Sequence, residues 1–323
     1  MLLMGNKVVS VSTQHKLRPT KNKWQKLNKI KINWQLYLLI LPPLVFIFIF
    51  NYVPMYGILM AFQNFDPIAG VWHSPWIGLQ NFQQWFNNYE FWPLIENTVG
   101  LQLFGLLVGF PIPVILAIML HELASEKFRR FVQTVIYAPY FISTVVVVGM
   151  LLIFVAPQSG LINHIIESLG GKPIFFMASP QWFQPLYVFS GVWQGAGFGT
   201  ILYLAALTGV SPELLDAAII DGASRFRRIW HISLPTIRPI VVIMLIWGIG
   251  DIMAVGPDKA YLMQTSLNIS TSQIIPTYVY EMGLLNAQYS FSAAVGLFNS
   301  VINAILLVIV NFVAKRITDT SIF

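Results

Sequence analysis

Residues 211–235 read SPELLDAAIIDGASRFRRIWHISLP. Ser211 suits a helix N-cap, Pro212 the first helical position, and Glu213 a first turn where the helix dipole favours an acid. Leu214, Leu215 and Ala218 then fall on one face, and Ala217 allows a neighbour to approach closely. Gly222 is placed to stop the helix in a left-handed conformation. Ser224 can start a second short helix carrying Phe226, Ile229 and Trp230, and Pro235 marks the return to an apolar run. A simple connection needs only about four to six residues. A helix–turn–helix with an apolar face and both signs of charge is built for contact, with a partner or with its own chain.

What flanks the segment fixes the fold class. The chain has 323 residues, 56% hydrophobic and 10% charged, with a mean hydropathy of +0.67. A soluble domain carries roughly 25% charge. Six stretches are apolar enough for membrane helices of about 20 residues: 34–62, 97–120, 137–156, 186–209, 239–255 and 291–313. The first is long and contains Pro42, Pro43 and Pro54, so it reads as a helix with broken or tilted ends. The expectation is an all-α, six-span membrane protein, with a basic tail over 1–33 and a membrane domain over 34–323.

The 19 basic residues orient it. Lys7, Lys16, Arg18, Lys21, Lys23, Lys26, Lys29 and Lys31 precede the first span. Lys127, Arg129 and Arg130 follow the second, Arg225, Arg227, Arg228 and Arg238 the fourth, and Lys315 and Arg316 the sixth. Only Lys172 and Lys259 fall on the other side. The positive-inside rule then places both termini, and 211–235, in the cytoplasm. The net charge of +6 is read as orientation and attraction to membrane lipid, not nucleic-acid binding. The tail is not a cleavable signal peptide, because the apolar run after it is too long.

Enzyme classes find little support. There is no cysteine. His121-Glu122 begins a zincin pattern, but Ser125 stands where its second histidine belongs, and the histidines have no metal spacing. Gly170-Gly-Lys172 runs into Pro173 and is no phosphate loop. Asp251, the one acid inside a span, is read as a structural or gate-region hydrogen-bonding group. Outside, Leu79, Phe82, Trp85, Phe86 and Tyr89 recur at helical spacing, the pattern of an amphipathic helix in the membrane interface. That helix is either an aromatic belt or a platform for an external protein.

A path for a polar solute needs hydrogen-bonding and aromatic groups within the bundle. Asn299 and Asn303 share one face of the sixth helix and suit either a path or helix packing. Tyr137, Tyr140, Ser143, Trp193 and Gln194 are weaker candidates, with packing the readier explanation. Gly191, Gly195 and Gly199 form a close-packing stripe. The outer and intramembrane regions carry almost no basic charge, only Lys172 and Lys259, so recognition of an acidic solute by Arg or Lys of this chain is not visible.

The 211–235 segment closely resembles the cytoplasmic signature of permease subunits in binding-protein-dependent ABC importers. The family's Glu-Ala-Ala, three residues, Gly, nine residues, Ile-x-Leu-Pro appears here as Asp216-Ala217-Ala218, Gly222, Ile232, Leu234 and Pro235. Asp216 departs from the usual Glu and shortens its reach. Residues 51–57, 133–143, 193–199, 287–290 and 296–300 resemble the branch serving complex oligosaccharides and polysaccharide fragments, uronate chains such as alginate included. The resemblance implies the type I importer permease fold of the maltose-type superfamily in the bacterial inner membrane. It implies a second homologous permease, two ATPase subunits and an extracytoplasmic sugar-binding protein. ATP and Mg would be bound by the ATPase, with no cofactor and no enzymatic activity in this chain. Glu213, Leu214, Asp216, Ala217, Ala218, Gly222, Arg225, Phe226, Arg228, Ile232, Leu234 and Pro235 would seat on the ATPase. Gly222→Asp or a bulky residue at Ala217 would then uncouple ATP hydrolysis from transport. An ATP-independent secondary transporter or channel is the competing reading, though no paired acids or repeated halves support it.

Overall fold

The computed structural model describes residues 34–318; the basic tail lies outside them. These residues divide into two compact units after Tyr56. In the first, α1 (Trp34–Ile47) carries Pro42 and Pro43 inside it and continues as a wide π turn over Phe48–Tyr52. The helical run extends to Phe62, 29 residues in all. The two prolines leave it helical, and the coil changes type just before Pro54 instead. Proline lacks an N–H and crowds the carbonyl four residues back, a strain that a wide turn relieves. The same device recurs where a π turn at Ile229–Ser233 precedes Pro235.

The second unit contains α2 (Gln80–Phe86), α3 (Phe91–Gly109), α4 (Pro111–His121), α5 (Glu126–Tyr137), α6 (Thr144–Phe154), α7 (Leu161–Ser168), α8 (Pro180–Leu207), α9 (Pro212–Ile220), α10 (Arg225–Arg228), α11 (Leu234–Gly250), α12 (Pro257–Met263), α13 (Ile269–Ser272), α14 (Ile275–Tyr280) and α15 (Tyr289–Thr318). Among the described residues, four helical runs are long and apolar enough to cross a membrane: 34–62, 91–121, 225–250 and 289–316. Two bent pairs bring the number to six if each counts as one span.

The third expected span is not a straight helix. The chain bends by 97° between Phe141 and Thr144, and α6 has only 11 residues. At 1.5 Å per residue that is about 16 Å, roughly half a bilayer core. Pro139 sits in a 3-10 turn, and the Ser143 hydroxyl restarts the helix by accepting from the Val146 N–H at 3.4 Å. The elbow is docked on α8. Gln194 Nε2 donates to the Ile142 carbonyl at 2.8 Å, the Tyr140 ring stacks on Phe198 at 3.9 Å, and the Thr200 hydroxyl donates to Tyr137 Oη at 3.2 Å.

The glycine stripe is tight at Gly191 and Gly199, where a Cβ would come within 3.1 Å of Lys259 and 3.2 Å of Pro113, but not at Gly195. A Cβ at Gly195 would meet nothing within 4 Å, whereas one at Gly197 would lie 1.9 Å from the Ile136 carbonyl oxygen. The tightest approach therefore lies off the expected register, against the backbone of the elbow. Because that backbone cannot rotate away like a side chain, Gly197→Ala is expected to cost about 1–3 kcal/mol or more. A lowered melting temperature in detergent would show it, and an unchanged one would contradict it.

The helix containing Trp85 leaves only part of its expected stripe facing outward. Trp85 is fully buried with Phe91, Leu94, Tyr278 and Phe291, and α2 packs on α15. Asn81 fastens it, donating from Nδ2 to the carbonyls of Ala61 and Gln63 at 2.9 and 3.1 Å. Only Leu79, Phe86 and Tyr89 of the expected stripe remain exposed.

Candidate functional site

The 211–235 segment starts as its sequence suggests and ends differently. Ser211 has the extended backbone of an N-cap, but its hydroxyl donates to the Glu213 carboxylate instead of accepting from the helix. That bond holds the exposed Glu213 carboxyl below its ordinary pKa. At the other end Gly222 has φ +72°. Its N–H donates to the Ile219 carbonyl at 3.0 Å, and the Ala223 N–H reaches back to Ala218 at 2.8 Å. This is the paired-bond stop in which a left-handed glycine satisfies the last carbonyls of a helix. Ser224 then caps α10, accepting from the Arg227 N–H at 3.4 Å.

The second helix is not a separate short element. From Arg225 it runs through the π turn and α11 to Gly250 as one 26-residue helix. Pro235, exposed within this run, does not break it, because the π turn just before it accommodates the missing N–H. A rigid rod therefore joins the segment to the interior of the bundle.

The segment has two faces. Leu215 and Ile232 pack on a core of Val114, Ala117, Tyr203, Leu207, Val210 and Ile237, and Ala218 and Leu234 are half-buried. Leu214 does not share their face. It is exposed, together with Ile219, Ile220, Phe226 and Trp230, and Ile220 is 85% exposed. Phe226 and Trp230 stack with ring centres 6.2 Å apart. Asp216, Ala217 and Arg225 are exposed, and Asp216 takes part in neither of the two ion pairs found among the described residues. Arg228 lies 4.0 Å from Glu122, with both side chains largely buried, and donates to the Ala223 carbonyl at 3.3 Å. That pair ties the end of α4 to the turn between α9 and α10. The sequence reading meets Glu122 only in a rejected zincin pattern and assigns nothing to Ile219 and Ile220; the Ile219-Ile220 pair just before the stop is the available signal.

The other candidates are scattered. Asn299 Nδ2 donates to the Met253 carbonyl at 2.9 Å, and Asn303 Oδ1 accepts from the Met253 N–H at 3.0 Å. Together they clamp α15 to the chain just beyond α11. Asp251 caps that same helix end, accepting from Trp247 Nε1 at 2.6 Å. Tyr137, Tyr140, Ser143 and Gln194 gather at the elbow. Trp193 faces elsewhere, half-exposed on an apolar depression of ≈ 410 Å³ with Val147 and Phe189. A second cleft, ≈ 280 Å³, lies between α3–α4 and α8 and is lined by Gln102, Tyr187 and four glycines, 105, 109, 191 and 195. Lys259, the residue that the charge reading counted only as an outlier, is buried beside Tyr187.

This geometry agrees with known proteins. Protein LplB of Bacillus subtilis strain 168 is 44% identical over 288 residues, covering 89% of this chain and 91% of that protein. The polygalacturonan/rhamnogalacturonan transport system permease protein YteP of the same organism is 42% identical over 288 residues, covering 89% and 90%. A chain in the crystal structure of a bacterial ABC transporter involved in the import of the acidic polysaccharide alginate superposes with a TM-score of 0.83. It is 37% identical, and the match covers 91% of this chain and 99% of that one. The model of the binding-protein-dependent transport system inner membrane component matches residues 109–319. On that match and these relatives, the chain belongs to the family of inner membrane components of binding-protein-dependent transport systems.

Proposed function

We propose that this chain is the membrane subunit through which an ATP-driven importer passes an oligosaccharide, and that 211–235 is its lever on a separate ATPase. Membership of the family removes the reading as an ATP-independent transporter or channel. The observation that carries the lever is the two-faced segment itself: an apolar face left open beside a rod that runs into the bundle. An apolar helix face fits a groove in a partner. Closure of an ATPase dimer around ATP would draw two such segments together, and the rod would pass the motion to the spans. The site then faces one side of the membrane and next the other, a shift between two states that ATP biases.

The oligosaccharide class is supported by relatives that serve polygalacturonan/rhamnogalacturonan and alginate transport, and by the sugar-permease resemblance. The partners are a second permease, two ATPases that bind ATP and Mg, and an external binding protein. A related crystal structure, of a bacterial alginate ABC transporter in complex with alginate pentasaccharide-bound periplasmic protein, supports the last of these. The test is purification. The chain is expected to come out with an ATPase and a homologous permease, and sugar-loaded binding protein should raise ATP turnover. Recovery as a lone chain with ATP-independent sugar flux would overturn the reading.

Orientation is a separate prediction. The charge bias places 211–235 and the loop at Glu126 in the cytoplasm. Because the native chain has no cysteine, single cysteines can report it. A membrane-impermeant maleimide is expected to label Tyr89→Cys in intact spheroplasts, and Glu126→Cys only after permeabilisation. The reverse pattern would invert the topology.

A further inference from the structure

Lys259, on α12, is only 9% exposed. Its Nζ donates to the Tyr187 carbonyl at 2.7 Å and stands 4.7 Å from the centre of the Tyr187 ring. Neither ion pair among the described residues includes it. A buried ammonium without an acid is costly, and burial pulls the Lys259 pKa down from 10.5 to about 8. It therefore remains charged at neutral pH. An ammonium has three N–H donors, and the Tyr187 carbonyl takes one.

The position of that charge suggests its use. Nζ lies against Gly191, where a Cβ would come within 3.1 Å of it. Gly191 and Tyr187 line the cleft between α3–α4 and α8, with Gln102 on its other wall. Gly195, further along the same wall, faces open space. Bare backbone along a groove lets a flat, bulky group lie close to the helix. A side chain at Gly191 would fill the space in front of the ammonium.

We propose that Lys259 reads a carboxylate of an acidic oligosaccharide as the sugar lies in this glycine-lined cleft. This rests on the reading of the chain as an oligosaccharide importer's permease and names the charge of its cargo. A uronate oxygen supplies the anion that the fold withholds from Lys259, and hydrogen bonds between ionised partners are roughly twice as strong as neutral ones. A neutral sugar gains no such pairing.

The test uses the complete complex, with its binding protein, in proteoliposomes. Galacturonate pentasaccharide is the probe and maltopentaose the neutral comparison. Lys259→Gln keeps a donor for the Tyr187 carbonyl and removes the charge, whereas Lys259→Arg keeps both. Lys259→Gln is expected to lower kcat/KM for galacturonate uptake by about tenfold or more, as loss of one charge-assisted hydrogen bond implies. Lys259→Arg should retain most of the uptake, and neither variant should change the melting temperature in detergent. Full uptake by Lys259→Gln would overturn the proposal. So would equal losses in both variants accompanied by a fallen melting temperature, which would make the lysine structural. If the wild type imports only maltopentaose, the acidic cargo is wrong and the importer reading stands; if it imports neither sugar, both fall.

Discussion

Gly222→Val is expected to cut sugar imported per ATP hydrolysed by about tenfold while the transporter still assembles. The residue sits at φ +72° with nothing within 4 Å of where a Cβ would go, so the harm is conformational, not steric. A side chain in the left-handed region costs roughly 1–2 kcal/mol, and about 1.4 kcal/mol is a factor of ten in population. The chain can relieve that cost only by giving up the bonds from Gly222 to Ile219 and from Ala223 to Ala218. The end of α9 then frays, and the turn joining it to the rod loses its fixed angle. The apolar contacts on either side are untouched, which is why assembly should persist. Asparagine tolerates the left-handed region, so Gly222→Asn should keep most of the coupling. Valine therefore tests the turn more sharply than Gly222→Asp, since aspartate shares part of that tolerance. The readout is ATP hydrolysis and sugar uptake measured together in proteoliposomes. Unchanged uptake per ATP in Gly222→Val would remove the turn from the mechanism.

Truncating the stacked pair should act on assembly instead. Phe226 and Trp230 are 73% and 60% exposed in this chain, an arrangement with no benefit to the chain by itself. Buried tryptophans at the centre of an interface commonly contribute about 2 kcal/mol or more. Trp230→Ala is therefore expected to weaken ATPase binding by about thirtyfold, with Phe226→Ala weaker in the same direction. Leu215→Ala should behave differently, because Leu215 faces the core around Tyr203 and Ile237 and its loss should lower the melting temperature. Titrating the ATPase against the detergent-solubilised permease separates the two effects. Full-affinity binding by Trp230→Ala would mean that this face does not meet the ATPase.

Much of this architecture was legible in the sequence, because the features that reveal it are local. Apolar runs reveal membrane helices, and a glycine after an apolar face reveals a left-handed stop. The failures share one cause, which is that they depend on distant partners. Composition sees an unbroken apolar run across 137–156, but Gln194, Gly197 and Phe198 of α8 hold an elbow there. The spacing of Trp85 with Phe86 and Tyr89 suits an interface as well as a core, and only Phe91, Tyr278 and Phe291 decide between them. Leu214 and Leu215 look equivalent until the neighbouring helices turn one in and leave the other out. The Asn299–Asn303 face is legible, but its shared partner, the Met253 backbone, lies about fifty residues away. Lys259 is the strongest case. In sequence it is a stray charge on the sparsely charged side, and only the fold shows it buried beside a cleft.

If the open apolar face of 211–235 seats in a separate ATPase, a crosslinker placed on that face will reach the ATPase. A photo-crosslinking amino acid at Ile220, the most exposed residue of that face, tests it most directly in the assembled transporter. A crosslink to the ATPase subunit is expected from Ile220 and none from the same group at Tyr89. A crosslink from Ile220 only to lipid or to the second permease, or an ATPase crosslink from Tyr89, would contradict it.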